Sequence, residues 1–287
     1  MGTVHINCVY GEDNIEHIER CLIPALRTAT RMTVHLRTMN YNPDSSLRIN
    51  SFSDEALVIE DVRNTFGENA GFAQSHNYLF DYANPEDYFI IINPDCIPMQ
   101  GSIDALVARK ASTCGRIALV EGRQWPFEHP KSYDPLTLDT PWASGAFCLI
   151  DAAFYREIGG MDDIYFLYLE DVDVSWQAWL NGYRVLYESK AVAAHFSGGP
   201  FYRSDLVSRE ERYSLRNFLL LARKFFGQSG EETAIRFLKN HHDQPAVDVA
   251  ISEYRQLEAR ICQKYSGKRH PNVQILGICQ FSELRDV

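Results

Sequence analysis

The residues best placed to do chemistry lie in the segment GGMDDIYFLYLEDVDVSWQAWLNGYRVLY, residues 159–187. It sets Glu170, Asp171 and Asp173 at the start of an amphipathic helix, directly after an aromatic run. Carboxylates gathered there are stabilised by the helix N-terminus and can still face a cleft, which suits proton abstraction or cation binding. Acidic residues also favour a first helical turn for purely local reasons. A second acidic signal shifts the balance towards a site: Asp95 closes the strand-like run YFIIINPDC, residues 88–96. In open α/β sheets ligands bind beyond the carboxyl ends of the strands, so Asn93, Pro94 and Asp95 stand where a divalent cation is held. Asn-Pro-Asp is equally a common turn sequence.

Two further pieces flank these. NAGFAQSHN, residues 69–77, joins a glycine turn to a helix start, where free backbone N–H groups can meet a phosphate or ribose. His195 ends the strand-like RVLYESKAVAAH and precedes SGGP. An imidazole there either completes a metal site with Asp95 or hydrogen-bonds a carboxylate at an edge.

The elements that must position these groups follow from periodicity. Short apolar, β-branched runs alternate with helical patterns through the first two thirds of the chain, as in a parallel α/β sheet. The pattern predicts strands at 3–10, 32–38, 56–61, 87–92, 116–121 and 143–150, and helices at 14–29, 71–83, 101–112 and 170–181. Asn181 and Gly182 supply a C-cap for the last of these. Residues 123–141, with four prolines, read as one long loop. Beyond residue 205 three helices are predicted, at 205–226, 230–240 and 245–265. The basic amphipathic stretch RNFLLLARKFF, residues 216–226, suits either a membrane surface or packing on the main domain, and packing is the commoner use of such a stripe.

Composition excludes several classes. With 287 residues and 45% hydrophobic content the chain can bury a large core. A net charge of -10 argues against nucleic-acid binding, which needs a basic footprint. Seven scattered cysteines, none spaced as CxxC, indicate neither a disulfide framework nor a zinc site. No run reaches membrane-spanning length and the N-terminus lacks a secretory pattern, so a cytoplasmic location is expected, with the inner face of the membrane as a further setting.

Taken in order, NxGFA with a later Asn (Asn69, Gly71, Phe72, Ala73, Asn77), NPD (Asn93 to Asp95), WxSG (Trp142, Ser144, Gly145), GGMDDIYFLYLEDVD (159–173) and a later His (His195) resemble the inverting family 2 glycosyltransferases, especially their bacterial rhamnosyltransferase-like branch. The resemblance spans roughly residues 3–225. It implies an α/β fold of GT-A type, a Rossmann-like, mostly parallel sheet flanked by helices. The expected division is a GT-A catalytic domain at 1–204 and a C-terminal helical extension at 205–287. It also implies transfer from a nucleotide-diphosphate sugar to a glycan or lipid-linked acceptor in bacterial surface polysaccharide synthesis, with Mn²⁺ or Mg²⁺. Carried over by residue, Asp171 is the catalytic base with Glu170 as its partner, and Asp95 and His195 hold the metal. Donor contacts are expected from Tyr10, Asn69, Gly71, Asn93, Asp95 and Arg203, and acceptor contacts from Trp142, Ser144 and Gly145. The first two strands depart from the family: VYGED (9–13) and RTMNYNPDSS (37–46) replace its usual endings, and leave Tyr10, Asn40 and Asn42 as candidates for the nucleotide pocket. Two rivals stand beside this reading, a non-catalytic nucleotide-sugar or glycan-binding scaffold of the same fold and a sugar nucleotidyltransferase. The second normally carries a glycine-rich basic loop after its first strand, where this chain has VYGEDNIEH.

Overall fold

A computed structural model describes residues 2–129, 131–195 and 204–275, with side chains from residue 210 onward in the last segment. Among these residues nine strands form one sheet in the order β3-β4-β2-β1-β5-β8-β7-β9-β6. Its first half is built on β1 (Thr3–Tyr10), flanked by β2 (Thr33–Asn40) and β5 (Tyr88–Ile92), both parallel to it. β4 (Leu57–Asp61) extends this parallel block, and the short β3 (Phe52–Ser53) edges it antiparallel. The second half is mixed. β8 (Phe147–Asp151) runs antiparallel between β5 and β7 (Ile117–Pro126), and β9 (Arg184–His195) returns parallel to β7. The parallel half is thus joined to an antiparallel insertion that carries β8.

β5 shows why the sheet is buried on both sides. Its continuous apolar run sends Phe89 and Ile91 into one apolar cluster and Ile90 and Ile92 into the other. The second cluster is covered by α2 (Ile23–Ala29) and α4 (Ser102–Ser112), through Leu26, Ile103 and Leu106. α1 (Ile15–His17) reaches α2 through a π-helical turn, Ile18–Leu22, which sets Pro24 at the start of α2, where its missing N–H is harmless. The first cluster is covered by α3 (Gly71–Ala83), α5 (Ala152–Ile158), α6 (Glu170–Leu180), α7 (Ser204–Leu238) and α8 (Gln244–Leu257). α7 breaks at Gly227, whose φ of 67° is open to glycine at little cost.

Four sequence expectations shift. Residues 123–126, expected in a loop, continue β7, because after an irregularity at Gly122/Arg123 the strand keeps pairing with β9. The strand expected from 143 starts at Phe147, since the preceding residues are drawn to α6. α5 was not expected; Asp151 caps it by accepting the Phe154 N–H at 2.7 Å, and Gly159 closes it at φ 82°. The helix expected over 245–265 ends at Leu257 and passes into a 3-10 turn, Glu258–Arg260.

The stripe at 216–226 faces inward. Phe218, Leu219, Leu220, Leu221, Ala222 and Phe225 are buried, and two of the three cations, Arg216 and Lys224, are buried with them, while Arg223 is half-buried. The apolar face of this stretch is therefore used within the protein and is not open to a lipid surface. No helix among the described residues is long and apolar enough to cross a membrane.

Candidate active site

Asp95 and His195 are brought together by a pairing the sequence did not announce. The three-residue β6 (Cys96–Pro98) runs antiparallel to β9, with Cys96 opposite His195. This sets His195 Nε2 3.3 Å from Asp95 Oδ1. His195 is buried, whereas the Asp95 side chain is 45% exposed and can meet a ligand from solvent. On the other side of the ring, His195 Nδ1 lies 2.7 Å from Gln124 Oε1. An amide oxygen there accepts the Nδ1 proton, so Nε2 donates to Asp95 in the protonated ring and offers its lone pair to a cation in the neutral one, the usual support for a metal-binding histidine. Two donors 3.3 Å apart suit neighbouring ligand positions of one cation, and an oxygen and nitrogen pair suits Mn²⁺ at least as well as Mg²⁺. Burial pushes the Asp95 carboxyl up, but the hydrogen bond and charge of His195, with a smaller share from His17, hold it below the usual carboxylate range. Cys96 lies within reach of both residues. Its thiol donates to the Ala146 carbonyl at 3.3 Å, and burial pushes its pKa well up.

Glu170 and Asp171 open α6, but neither acts as its N-cap. That position is Leu169, at φ 65°. The strained approach is general: Phe166, Tyr168 and Leu169 all have positive φ. α7 braces this backbone, as Asn217 Nδ2 lies within 3.0 Å of the carbonyls of Tyr165, Leu167 and Tyr168, and Arg216 donates to Tyr165 O at 2.6 Å. Asp171 Oδ2 accepts the Gly145 N–H at 3.0 Å and Oδ1 the Val172 N–H at 2.8 Å. Ser175 Oγ accepts the Ala143 N–H at 3.0 Å and donates to Asp171 O at 2.7 Å. The WxSG motif is therefore a strap hung on α6. Burial pushes the Asp171 carboxyl above its ordinary range, with the Gly145 and Val172 N–H groups and Lys131 opposing the shift. Glu170 is buried with Oε2 unpartnered, and burial and the Asp171 charge push its pKa well up. Asp173 serves the core instead, accepting from Tyr165 Oη at 2.6 Å and pairing with Lys224 at 2.7 Å.

The other expected site residues fall in varied places. Gly71 (φ +78°) packs under Phe166, whose carbonyl oxygen would lie 2.3 Å from an added Cβ, and Asn69 Oδ1 accepts the Gly71 N–H at 3.0 Å. Asn77 bridges to the GGMDD segment, donating to Met161 O at 2.8 Å and accepting the Met161 N–H at 2.9 Å. Asn93 stands at the end of β5, its N–H on Ala146 O at 2.8 Å. Tyr10 is buried, its hydroxyl donating to Asp61 Oδ1 at 3.0 Å. Asn40 is also buried, its side chain accepting the Asn42 N–H at 2.9 Å. Trp142 is buried with Lys131 Nζ 3.9 Å over its ring, and Ser144 Oγ accepts the Ala146 N–H at 3.3 Å. Gly145 rests on the Phe72 ring. Arg203 lies outside the described residues.

Gln124, Glu121, Lys131 and His17 are neighbours of this site that sequence reasoning passed over. The signal available was a carboxylate at position 121 inside the apolar run IALVEG. Among the described residues a second group, Glu211, His241 and His242, also has metal-ligand types within reach. There His241 Nδ1 already accepts the Asp243 N–H at 3.2 Å, which places its proton on Nε2, the atom that faces Glu211 at 3.7 Å.

The mixed sheet with helices on both faces is the GT-A fold of glycosyltransferases. The mannosyltransferase PcManGT from Pyrobaculum calidifontis, solved with GDP-Man and Mn²⁺, superposes with a TM-score of 0.55 at 14% identity, covering 98% of this chain and 80% of that one. S. aureus TarS with UDP-GlcNAc gives 0.53 at 12% identity, covering 89% and 81%. No family model matches the chain. At the level of sequence, the N-acetylglucosaminyl-diphospho-decaprenol L-rhamnosyltransferases of two Mycobacterium tuberculosis strains are 26% identical over 163 residues, 44% of this chain and 53% of theirs. The chain spans about half the length of these curated relatives. The resemblance to GT-A family 2 glycosyltransferases of the rhamnosyltransferase-like branch, read from the ordered motifs, is borne out.

Proposed function

We propose that the chain is an inverting, metal-dependent glycosyltransferase that moves a sugar from a nucleotide-diphosphate donor to a hydroxyl of a glycan or lipid-linked acceptor. The relatives' printed names, a rhamnosyltransferase acting on a diphospho-decaprenol substrate and neighbours solved with nucleotide sugars or Mn²⁺, support this reading. The observation that carries it is a single backbone strap. Ala146 takes the Asn93 N–H at the head of the Asp95 turn, and its neighbour Gly145 gives its own N–H to Asp171. A cation-binding carboxylate and a solvent-edge carboxylate are thereby fixed to one piece of chain.

In this reading Asp171 takes the proton of the acceptor hydroxyl as that oxygen attacks the anomeric carbon from the face opposite the departing diphosphate. Base assistance of this kind is worth about 100-fold to 10,000-fold. Asp95 and His195 hold the divalent cation, which supplies charge neutralisation at the diphosphate when bound. Burial and the adjacent charge push the Glu170 carboxyl well up, which favours the pair carrying its negative charge on Asp171. A scaffold that only binds sugar has no use for a buried carboxyl with an unpartnered oxygen beside a half-buried carboxylate. We place the enzyme at the cytoplasmic face of a membrane, where a lipid-linked acceptor would be met, in bacterial surface polysaccharide assembly. The division into a catalytic domain at 1–204 and an extension at 205–287 stays part of this proposal, as does a donor contact from Arg203.

The test is a thermal-shift panel of nucleoside-diphosphate rhamnose, UDP-GlcNAc and GDP-mannose, each with and without Mn²⁺. A donor at about 100 times its Kd stabilises the fold by about 2.7 kcal/mol. One donor should raise Tm only with the cation and should then transfer its sugar to an octyl N-acetylglucosaminide. No shift with any donor would count against the assignment.

A further inference from the structure

Lys131 belongs to the segment between β7 and β8 and has no part in the chemistry above, yet it is tied to the site. Its Nζ lies 2.5 Å from Glu121 Oε2 and 2.7 Å from Trp142 O, and 3.9 Å from the centre of the Trp142 ring. The two charged side chains are only 6% and 4% exposed. A buried ion pair of this kind repays its desolvation only when additional polar groups complete it, and Trp142 O does so here. Trp142 is also the first residue of the strap whose Ala143 N–H sits on Ser175 and whose Gly145 N–H sits on Asp171. One end of the strap is thus fastened by a lysine, the other by the carboxylate proposed as base.

We infer that Lys131, held by Glu121, is a positioning residue that fixes the strap from Trp142 to Gly145 and so aims the Asp171 carboxylate at the acceptor hydroxyl. This inference rests on Asp171 being the base. The charged groups around Asp171 are Glu170 on its own helix, Glu121 on β7 and Lys131 on the intervening segment; Asp173, one turn deeper, is neutralised by Lys224. Lys131 is the cation of this set. Its removal leaves Glu121 facing Asp171 without compensation, and the two carboxyls then compete for a proton.

The experiment measures kcat and donor KM against pH for Lys131→Met, Lys131→Arg and Glu121→Gln, with the donor chosen by the panel above and octyl N-acetylglucosaminide as acceptor. Lys131→Met should lower kcat roughly tenfold to a hundredfold, the scale of a small misplacement of a reacting group. Donor KM should stay within about twofold, because the loss falls on the reacting geometry and not on donor binding. The acid limb of the kcat profile should move to higher pH. Lys131→Arg should recover most of both. Glu121→Gln, which removes a negative charge but keeps a polar partner, should move the limb to lower pH, and this arm holds even if the Met variant fails to fold. A Met variant with unchanged kcat and limb, or a uniform loss of activity with unmoved limbs in both Met and Gln variants, would overturn the inference. Loss of the base assignment is read separately: Asp171→Asn would then turn over normally, or the unaltered protein would transfer no sugar from any donor.

Discussion

Gly145 and Asp171 are joined by a 3.0 Å hydrogen bond from the backbone N–H of one to the carboxylate of the other. The bond aims Asp171 Oδ2 and stabilises its charged form. Asp171→Asn should keep the fold and the donor-binding titration, and lower transfer by about 100-fold to 10,000-fold. Near-normal turnover by the variant would remove Asp171 from the mechanism.

Gln124 predicts a graded metal effect. It lies 2.7 Å from His195 Nδ1. Gln124→Ala should weaken Mn²⁺ binding, measured by calorimetry, by about 10-fold to 100-fold, the usual cost of losing the support of a ligating histidine. His195→Ala should weaken it further. Equal Mn²⁺ affinity in all three proteins would mean that the cation binds elsewhere.

Glu170 predicts a pH dependence of stability with a definite sign. Burial, and then the charge of Asp171, raise its carboxyl well above the ordinary range. A group whose pKa is raised by folding contributes its stability below the unfolded value, about 4.3, and loses it as pH rises through the folded value. Glu170→Gln should therefore match or exceed the parent Tm at pH 8 and lose that relative advantage near pH 4. A parent protein whose stability relative to the variant improves with rising pH would show Glu170 to be a stabilising anion instead.

Asn217 predicts a coupling between the C-terminal helices and the base. Its amide serves the carbonyls of Tyr165, Leu167 and Tyr168 in the positive-φ stretch before Glu170. Asn217→Ala leaves the carbonyls of Leu167 and Tyr168 without this donor, while Tyr165 O keeps Arg216, at about 1–3 kcal/mol each at most, so a loss of a few kcal/mol in denaturant unfolding is expected. Turnover should fall as well, measured where the variant is still folded. Unchanged stability would mean that the stretch holds its conformation unaided.

Gly71 tests the contact between α3 and the segment before α6. Gly71→Ala combines a positive φ with a Cβ pressed against Phe166 O, and should destabilise by about 1 kcal/mol or more, where an ordinary helical glycine-to-alanine replacement stabilises by up to about 1 kcal/mol. Denaturant titration decides it. A change below that value would show that Phe166 gives way easily.

The sequence carried the parallel half of the sheet well, because alternation and apolar runs there coincide with strands buried on one or both faces. Strands β1, β2, β4 and β5 were read within two residues at either end. The order of ligating and acidic residues was legible for the same reason, since Asp95 and Asp171 sit at element boundaries that turn residues mark. What was hidden depends on contacts distant in the chain. The pairing of the three-residue β6 with the end of β9 leaves no periodic trace, yet it is what brings His195 to Asp95. Residues 143–146 read as strand from their composition, but they lie outside the sheet, with hydrogen bonds to Asp171 and Ser175. Lys131 looks like a solvated charge, and the carboxylate of Glu121 inside its apolar run has no evident purpose until that lysine, ten residues away, is seen beside it.

Trp176 on α6 packs edge-on against Phe225 of α7, and Phe225 in turn stacks on Tyr265. The helices after residue 204 therefore supply the back wall of the element that bears Glu170 and Asp171. A protease nick between them need not inactivate the protein, because the two fragments would remain clasped through those rings. A truncation that deletes the helices would instead strip the wall away, and the shortened chain would be expected to precipitate before it could be assayed.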